Sequence, residues 1–361
     1  MAGITLEKAA TLADVARAAG VSKGTASNVF NRPDIVREEV RERVRKAAKA
    51  IGYFGPDPRG RMLSAGKVNA IGVATVEPLA YFFEDPFARV LMTGVTAECD
   101  SRGAGISLVS SANDEELAWN VRNAVVDGFV LFCLESADKL IVASRERQLP
   151  FVALEFGHRD ESIPVIGIDN IAGARAAATH LAELGHRRFA ILAMEFTETG
   201  FGLATPERIA KTIYWPSRDR VSGYRQVFAQ YGIDPDSVPV FETRSDRKTV
   251  YAGLEYVFAA PSPPTAILAQ SDVIAFLALD WLRERGLSVP DDVSIVGFDG
   301  VPECALSNPP LTTIQQPIAE IGRRAVRAIL DNRGETVRET LDVELVVRES
   351  TALPKDAAGI P

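Results

Sequence analysis

Histidine and cysteine are scarce in this chain, three of each in 361 residues. His158, His180 and His186 show no metal-ligand spacing, and the last two, six positions apart, do not share a helix face well. No P-loop, no G-x-S-x-G elbow and no Cys/His nucleophile arrangement occurs. Gly103 and Gly105 stand between a helix and a strand and read as helix-capping glycines rather than a phosphate cradle. An enzyme is therefore not expected, nor a metal or cofactor. Cys99, Cys133 and Cys304 are odd in number, far apart and each set in an apolar stretch. That pattern excludes a disulfide framework and fits buried reduced thiols in the cytoplasm. No apolar run is long enough to span a bilayer. The N-terminus, with an early Glu7 and no sustained apolar segment, is not a signal peptide, so no membrane partner is expected.

What is present is a chain long enough for two or three domains, with 47% hydrophobic residues to fill sizeable cores. Its net charge of −8 is unevenly placed. Residues 1–67 hold 13 Lys and Arg against 7 Asp and Glu, whereas the remainder holds 27 against 41. A small basic head on an acidic body suits local contact with a polyanion while the body stays clear of it.

The head carries the most informative segment, TLADVARAAGVSKGTASNVFN at residues 11–31. Ala16 and Gly20 let two short helices cross at a tight turn, Val21 follows the turn, and Ser22 is placed to cap the second helix. A polar run from Lys23 to Asn28 faces outward before Val29 and Phe30 return to the core. This is the pattern of a helix-turn-helix whose second helix can enter a DNA major groove. A third helix is expected over Glu38 to Ile51, with Val40, Val44, Ala47, Ala48 and Ile51 in one apolar stripe and Glu38 and Glu39 in the favourable first turn. Residues 56–67, PDPRGRMLSAGK, form a linker in which Arg59 to Ala65 can make two weak helical turns. Gly60 and Gly66 each lower its helicity by roughly 1 kcal/mol relative to Ala.

From Val68 onward, short apolar runs alternate with amphipathic stretches in two consecutive series, so two lobes with parallel sheets are expected. Ligands bind beyond the carboxyl ends of strands in such sheets, which makes the space between the lobes a small-molecule cleft. One segment, residues 196–219, is too long for an ordinary connection and reads either as a cover over the cleft mouth or as a mobile surface loop.

TLADVARAAGVS, the T-x-S-N-V-F-N run, VRERVRKAAKAIGY, the HLAELGH segment, PDDVSIVGFDG and PPLTTIQQP stand in the order and spacing of the LacI/GalR family of bacterial transcription regulators. The chain resembles that family over essentially its full length. The resemblance implies an all-α helix-turn-helix head at residues 1–55, a hinge helix within 56–67, and a two-lobed α/β periplasmic-binding-protein-like body at 68–352. A tail follows at 353–361. The first lobe is expected to comprise about 68–169 with 300–323, the second about 170–299 with 324–352. The implied molecule is a homodimer that reads a near-palindromic double-stranded operator and responds to an effector, a sugar or sugar derivative. It is expected to act as a repressor. Regulation of nucleoside or purine metabolism through a corepressor is the alternative, and a cytosolic sugar-binding or sugar-modifying protein the reading outside regulation.

Carried over by the resemblance, Lys23, Gly24 and Asn28 face base edges, while Thr11, Ser22, Thr25, Ser27, Asn31 and Arg61 meet the DNA backbone or cap helices. Many members have Val at the Ala26 position and Arg at the Asn28 position, so a different operator preference is implied. Leu63 matches the wedge that opens a minor-groove base step. In the cleft, Arg220 matches the effector-binding arginine and Asp299 an acidic residue that accepts from ligand hydroxyls or amines, with Ser271 nearby. Phe82 and Phe83 are candidates to stack on a sugar ring, or else to pack as core. Phe132 is expected to shape the pocket, and Glu155 to reach it with Arg220 or the ligand as counter-charge.

Overall fold

In the computed structural model the described residues are 10–55, 67–110, 114–132, 138–154, 161–197, 199–331 and 336–355. They divide into two compact units, Met1–Val68 and Asn69–Pro361.

The first unit contains α1 (Leu12–Ala19), α2 (Lys23–Asn31) and α3 (Glu38–Ala50). Thr11 and Asp14 form a reciprocal capping box at the start of α1, and Gly20 ends it in the left-handed conformation with φ 63°. That turn brings the Val21 N–H to the Ala16 carbonyl at 3.0 Å. Val15, Ala16, Ala19, Ala26, Val29, Val44 and Ala48 form the buried core, and the Phe30 and Tyr53 rings meet edge-on at its margin. Arg37 precedes α3 without a side-chain cap; Glu38 and Glu39 occupy its first turn instead.

The second unit has two sheets. Its first lobe orders six strands as β2-β1-β3-β4-β5-β12, all parallel: β1 (Ala70–Thr75), β2 (Gly105–Ser110), β3 (Gly128–Leu131), β4 (Phe151–Leu154), β5 (Val165–Ile168) and β12 (Arg338–Leu341). The second orders seven as β7-β8-β6-β9-β10-β11-β13: β6 (Phe189–Ala193), β7 (Gly202–Leu203), β8 (Val240–Glu242), β9 (Ala266–Ala269), β10 (Ser294–Asp299), β11 (Thr312–Gln315) and β13 (Glu344–Val346). Only the outermost pairings, β7 with β8 and β11 with β13, are antiparallel. The helices are α4 (Tyr81–Glu84), α5 (Pro86–Arg102), α6 (Asp114–Asn123), α7 (Asp138–Glu146), α8 (Asn170–Glu183), α9 (Pro206–Ala210), α10 (Trp215–Gln230), α11 (Arg247–Phe258), α12 (Asp272–Glu284) and α13 (Ile318–Leu330).

The division between lobes differs from the expected one. Residues 300–315 stay with the second lobe, because β11 pairs with β10. The chain then crosses: α13 packs on α5 in the first lobe, and β12 joins β5 there. It crosses back before β13. The expected boundaries placed the late crossings near residues 300 and 323, whereas sheet pairing places them after β11 and after β12, in addition to the one after β5. Gly94 and Gly322 make the α5–α13 crossing possible. A Cβ on Gly94 would lie 1.8 Å from the Ala319 carbonyl oxygen, and one on Gly322 would lie 2.5 Å from that of Leu91.

The long connection at residues 196–219 contains β7 and α9 and leads into α10, so its described part is not a bare loop. It is pinned to the second-lobe sheet by the buried Glu242 carboxylate, which accepts from Arg208 Nε and, at 2.9 Å, from the Phe196 N–H. His186 is held as expected of a structural residue. Nδ1 meets Thr265 Oγ1 at 2.9 Å, and Nε2 meets the Ala352 carbonyl at 2.9 Å and Ser294 Oγ at 3.1 Å. Cys99 and Cys304 are buried free thiols, and burial pushes the Cys99 thiol up to about 11. Cys133 lies outside the described residues. Among the described residues no helix is long and apolar enough to cross a membrane.

Candidate functional site

In the head, the residues proposed to meet DNA fall on α2 and the two helix starts. Ser22 Oγ accepts from the Thr25 N–H at 3.0 Å and shares a 2.8 Å hydrogen bond with Thr25 Oγ1. Asn31 Nδ2 donates to Ser27 Oγ at 3.1 Å. Thr11 Oγ1 donates to Asp14 at 2.6 Å, which together with the Thr11 N–H holds that carboxyl below its ordinary range. Lys23, Gly24 and Asn31 are exposed, and Thr25, Ser27 and Asn28 half-buried. Gly24 and Asn28 stand one turn apart on the same side of α2. Ala26 does not share that outward face. It is fully buried against the head core, so the family difference at this position alters packing rather than the reading surface. Arg61 and Leu63 lie outside the described residues.

In the body, Arg220 and Asp299, two of the residues expected at the cleft, are brought together. Arg220, on the buried face of α10, donates from Nε to Asn170 Oδ1 at 2.8 Å and from Nη1 to the Gln270 carbonyl. Its guanidinium lies 3.7 Å over the Phe298 ring and 3.7 Å from Asp299 Oδ1. Asp299 ends β10 with φ 136°, a strained conformation for a residue with a Cβ, of the kind that clusters at functional sites. Its carboxylate accepts from the Asp272 N–H at 3.2 Å and from Gln316 Nε2 at 2.9 Å. Burial and the Asp272 charge raise its pKa well above the ordinary carboxylate value, against the opposing pull of Arg220. Asp272 itself is tied down by the Gly300 and Val301 N–H groups and by Thr313 Oγ1.

The other expected cleft residues divide. Ser271 is buried, and its hydroxyl is engaged as the cap of α12, accepting from the Ile274 N–H at 3.2 Å. Phe132 is buried among Tyr81, Phe82 and Phe87, stacked on Phe87 at 6.0 Å. Phe82 belongs to that core, whereas Phe83 is 68% exposed. Of the two expectations for this pair, packing as core holds for Phe82 and not for Phe83, because consecutive residues of the single-turn α4 leave in different directions. Glu155 lies outside the described residues.

Sequence reasoning missed Asn170, Gln270, Asp272 and Gln316. Asn170 and Asp272 each begin a helix directly after a strand, the position where a side chain reaches the carboxyl edge of a sheet. Gln316 follows β11 within the PPLTTIQQP run. Three further carboxylates also stand beyond strand ends: Glu77 after β1, Asp85 at the start of α5, and Glu195 after β6. Burial raises all three pKa values. A separate concavity of about 640 Å³ opens at the opposite, amino-terminal edge of β6, β8 and β9, beside Arg187, Arg188 and Tyr256.

Comparison with known proteins agrees with both halves. Residues 11–55 match the description "Bacterial regulatory proteins, lacI family" and residues 178–351 the description "Periplasmic binding protein-like domain". An HTH-type transcriptional regulator of Mycobacterium tuberculosis is 38% identical over 357 residues, covering 97% of this chain and 99% of the relative. Among solved structures, a complex of the transcriptional regulator CelR with cellobiose is 30% identical, with a TM-score of 0.68 over 94% of this chain and 99% of that one. The lac repressor dimer bound to operator and the anti-inducer ONPF is 25% identical, with a TM-score of 0.76 over 96% of this chain and all of that one. A capped helix-turn-helix, a two-lobed body and full-length similarity to such regulators have one meaning: the chain belongs to the LacI family of bacterial regulatory proteins and is a DNA-binding transcription regulator.

Proposed function

We propose that this regulator is a cytoplasmic homodimeric repressor, without catalytic activity, that binds a near-palindromic operator and releases it when a sugar or sugar derivative enters the cleft. In each protomer α2 lies in the major groove. Lys23 and Asn28 read base edges, and Gly24 lets the helix approach closely. Thr11, Ser22, Thr25, Ser27, Asn31 and Arg61 engage the backbone, and Leu63 opens a base step in the minor groove. The effector sits at Arg220 and Asp299, and Phe132 shapes the first-lobe wall behind it. Effector binding favours one arrangement of the lobes, and a coupling of about 1–3 kcal/mol suffices to change occupancy of the operator.

The observation that carries this reading is the set of Arg220, Asp299 and Gln316 at the carboxyl ends of the second-lobe strands, Asp299 ion-paired with Arg220 and hydrogen-bonded by Gln316, in a chain that also bears a helix-turn-helix. The crystallised complexes of CelR with cellobiose and of lac repressor with operator support the assignment of ligand class and partner. Selection from a random duplex pool tests it. The expected product is a pair of inverted half-sites bound by a dimer in sedimentation; a single half-site bound by a monomer overturns it.

A further inference from the structure

The concavity at the amino-terminal edge of β6, β8 and β9 plays no part in the effector reading. It lies at the opposite edge of the sheet from Arg220 and Asp299 and holds about 640 Å³, a volume typical of small-molecule sites. Four segments wall it: the turn into β6, the residues before β8, the last turn of α11, and the loop from α11 to β9. Phe189, Val238 and Val257 are buried and form its apolar side. Tyr256 is 49% exposed, with its ring 5.9 Å from that of Phe241. It offers a flat, half-open surface, supported by a second ring, on which a planar group can stack.

The charge of this concavity is of one sign. Arg187 and Arg188 stand on its rim, and among the described residues no carboxylate lines it. Asp236, next to the lining Ser237, is ion-paired with Arg225. Arg187 is held from one side: Nη1 donates to the Ala182 carbonyl at 2.9 Å and to the His186 carbonyl at 2.8 Å, and the guanidinium lies 5.8 Å from the centre of the Tyr231 ring. Its Nε and Nη2 make no hydrogen bond among the described residues. Arg188 donates from Nε to the Pro263 carbonyl at 3.1 Å, which ties it to the loop that closes the concavity. Behind both lies His186. Burial lowers its pKa, and the charges of Arg187 and Arg188 lower it further.

We infer that this concavity is a second ligand site, for a planar aromatic group that carries a phosphate or carboxylate. A nucleoside monophosphate and an aromatic acid share that chemistry. The anion meets the open edge of Arg187 in the field of Arg188, and the ring stacks on Tyr256. A cation would be repelled by the two guanidiniums, and a wholly apolar molecule would cover them without a counter-charge. The site stands apart from the effector cleft, so the inference does not depend on that reading.

The full-length protein, with labelled histidine rings, is titrated with AMP, 4-hydroxybenzoate, adenosine and inorganic phosphate, each to about 5 mM at fixed ionic strength, and followed by NMR and thermal shift. At least one of the two aromatic anions is expected to raise Tm and to move the His186 midpoint up toward 6.5, because a bound anion offsets Arg187 and Arg188. A response to AMP alone assigns the site to nucleotides, and one to 4-hydroxybenzoate alone to aromatic acids. Adenosine and phosphate are expected to do neither. Arg187→Met and Ser262→Asp, the latter placing a negative charge on the exposed rim, are each expected to weaken binding about tenfold or more, and Ser262→Asp to leave the ligand-free Tm unchanged. The inference is overturned by no response to either aromatic anion, by an equal response to phosphate alone, by a rise in Tm that leaves the His186 midpoint in place, or by binding that survives both substitutions.

Discussion

Arg220 Nη1 stands 3.7 Å from Asp299 Oδ1, and the two side chains are among the most deeply buried charges in the body. Neither would tolerate that position alone. The aromatic face of Phe298, the amide of Gln316 and the carbonyl of Gln270 complete the arrangement, so that two charges are held ready at the carboxyl end of β10. Buried pairs of this kind add little net stability, but removing one partner exposes the full desolvation cost of the other.

Arg220→Ala is therefore expected to destabilise the body by about 3–5 kcal/mol at pH 7.5, because it leaves Asp299 without its cation. The double substitution Arg220→Met with Asp299→Asn is expected to recover most of that loss. Urea denaturation of the three proteins measures both effects. A loss in the single variant equal to that in the double would refute the coupling.

The α5–α13 crossing gives a prediction independent of any ligand. With a Cβ on Gly94 only 1.8 Å from the Ala319 carbonyl oxygen, Gly94→Ala forces the helices apart. An overpacking cost of about 1–3 kcal/mol or more is expected, far above the small gain from better helix propensity. Gly105→Ala, whose Cβ meets nothing nearer than 3.8 Å, is the control. Denaturation midpoints of the two variants should separate clearly.

The contrast between these two sites shows what was legible beforehand. Arg220 and Asp299 stand in recognisable runs, DRVSGY and VGFDG, so each was a candidate from sequence, although the acid expected opposite Arg220 was Glu155 rather than Asp299. Nothing local marks Gly94 as the glycine that another helix crosses, because its partner Gly322 is more than two hundred positions away and the chain changes lobe in between. The same non-local pairing hid the crossing after β11. The direction of Phe82 was equally unreadable: a single-turn helix has too few residues to display a periodicity. By contrast α1, α2 and their caps were written in consecutive residues and emerged with Thr11, Gly20 and Ser22 in their expected roles.

His186 supplies a pH prediction. Burial moves its pKa below the ordinary 6.5, so below that pH the unfolded chain binds more protons than the native one. Its stabilising contribution is complete above pH 6.5 and is lost as pH falls through the folded value; His180, also lowered, acts in the same direction. Two-dimensional NMR of the folded protein is expected to show the His186 ring titrating below 6.5. A midpoint at or above 6.5 would contradict the buried neutral role.

Asn28 and Ser27 separate reading from positioning. Both are half-buried on α2, but Ser27 Oγ already accepts from Asn31 Nδ2, whereas the Asn28 amide has the two-sided geometry that suits adenine N6 and N7. Asn28→Ala is expected to cost about 1–3 kcal/mol on the selected operator and to flatten preference at one base pair in each half-site. Ser27→Ala is expected to weaken all duplexes nearly equally, since a backbone contact carries no base identity. Anisotropy titrations against the operator and its single-base variants, at one fixed salt concentration, distinguish these patterns. Uniform weakening by Asn28→Ala would move that residue from the reading set to the positioning set.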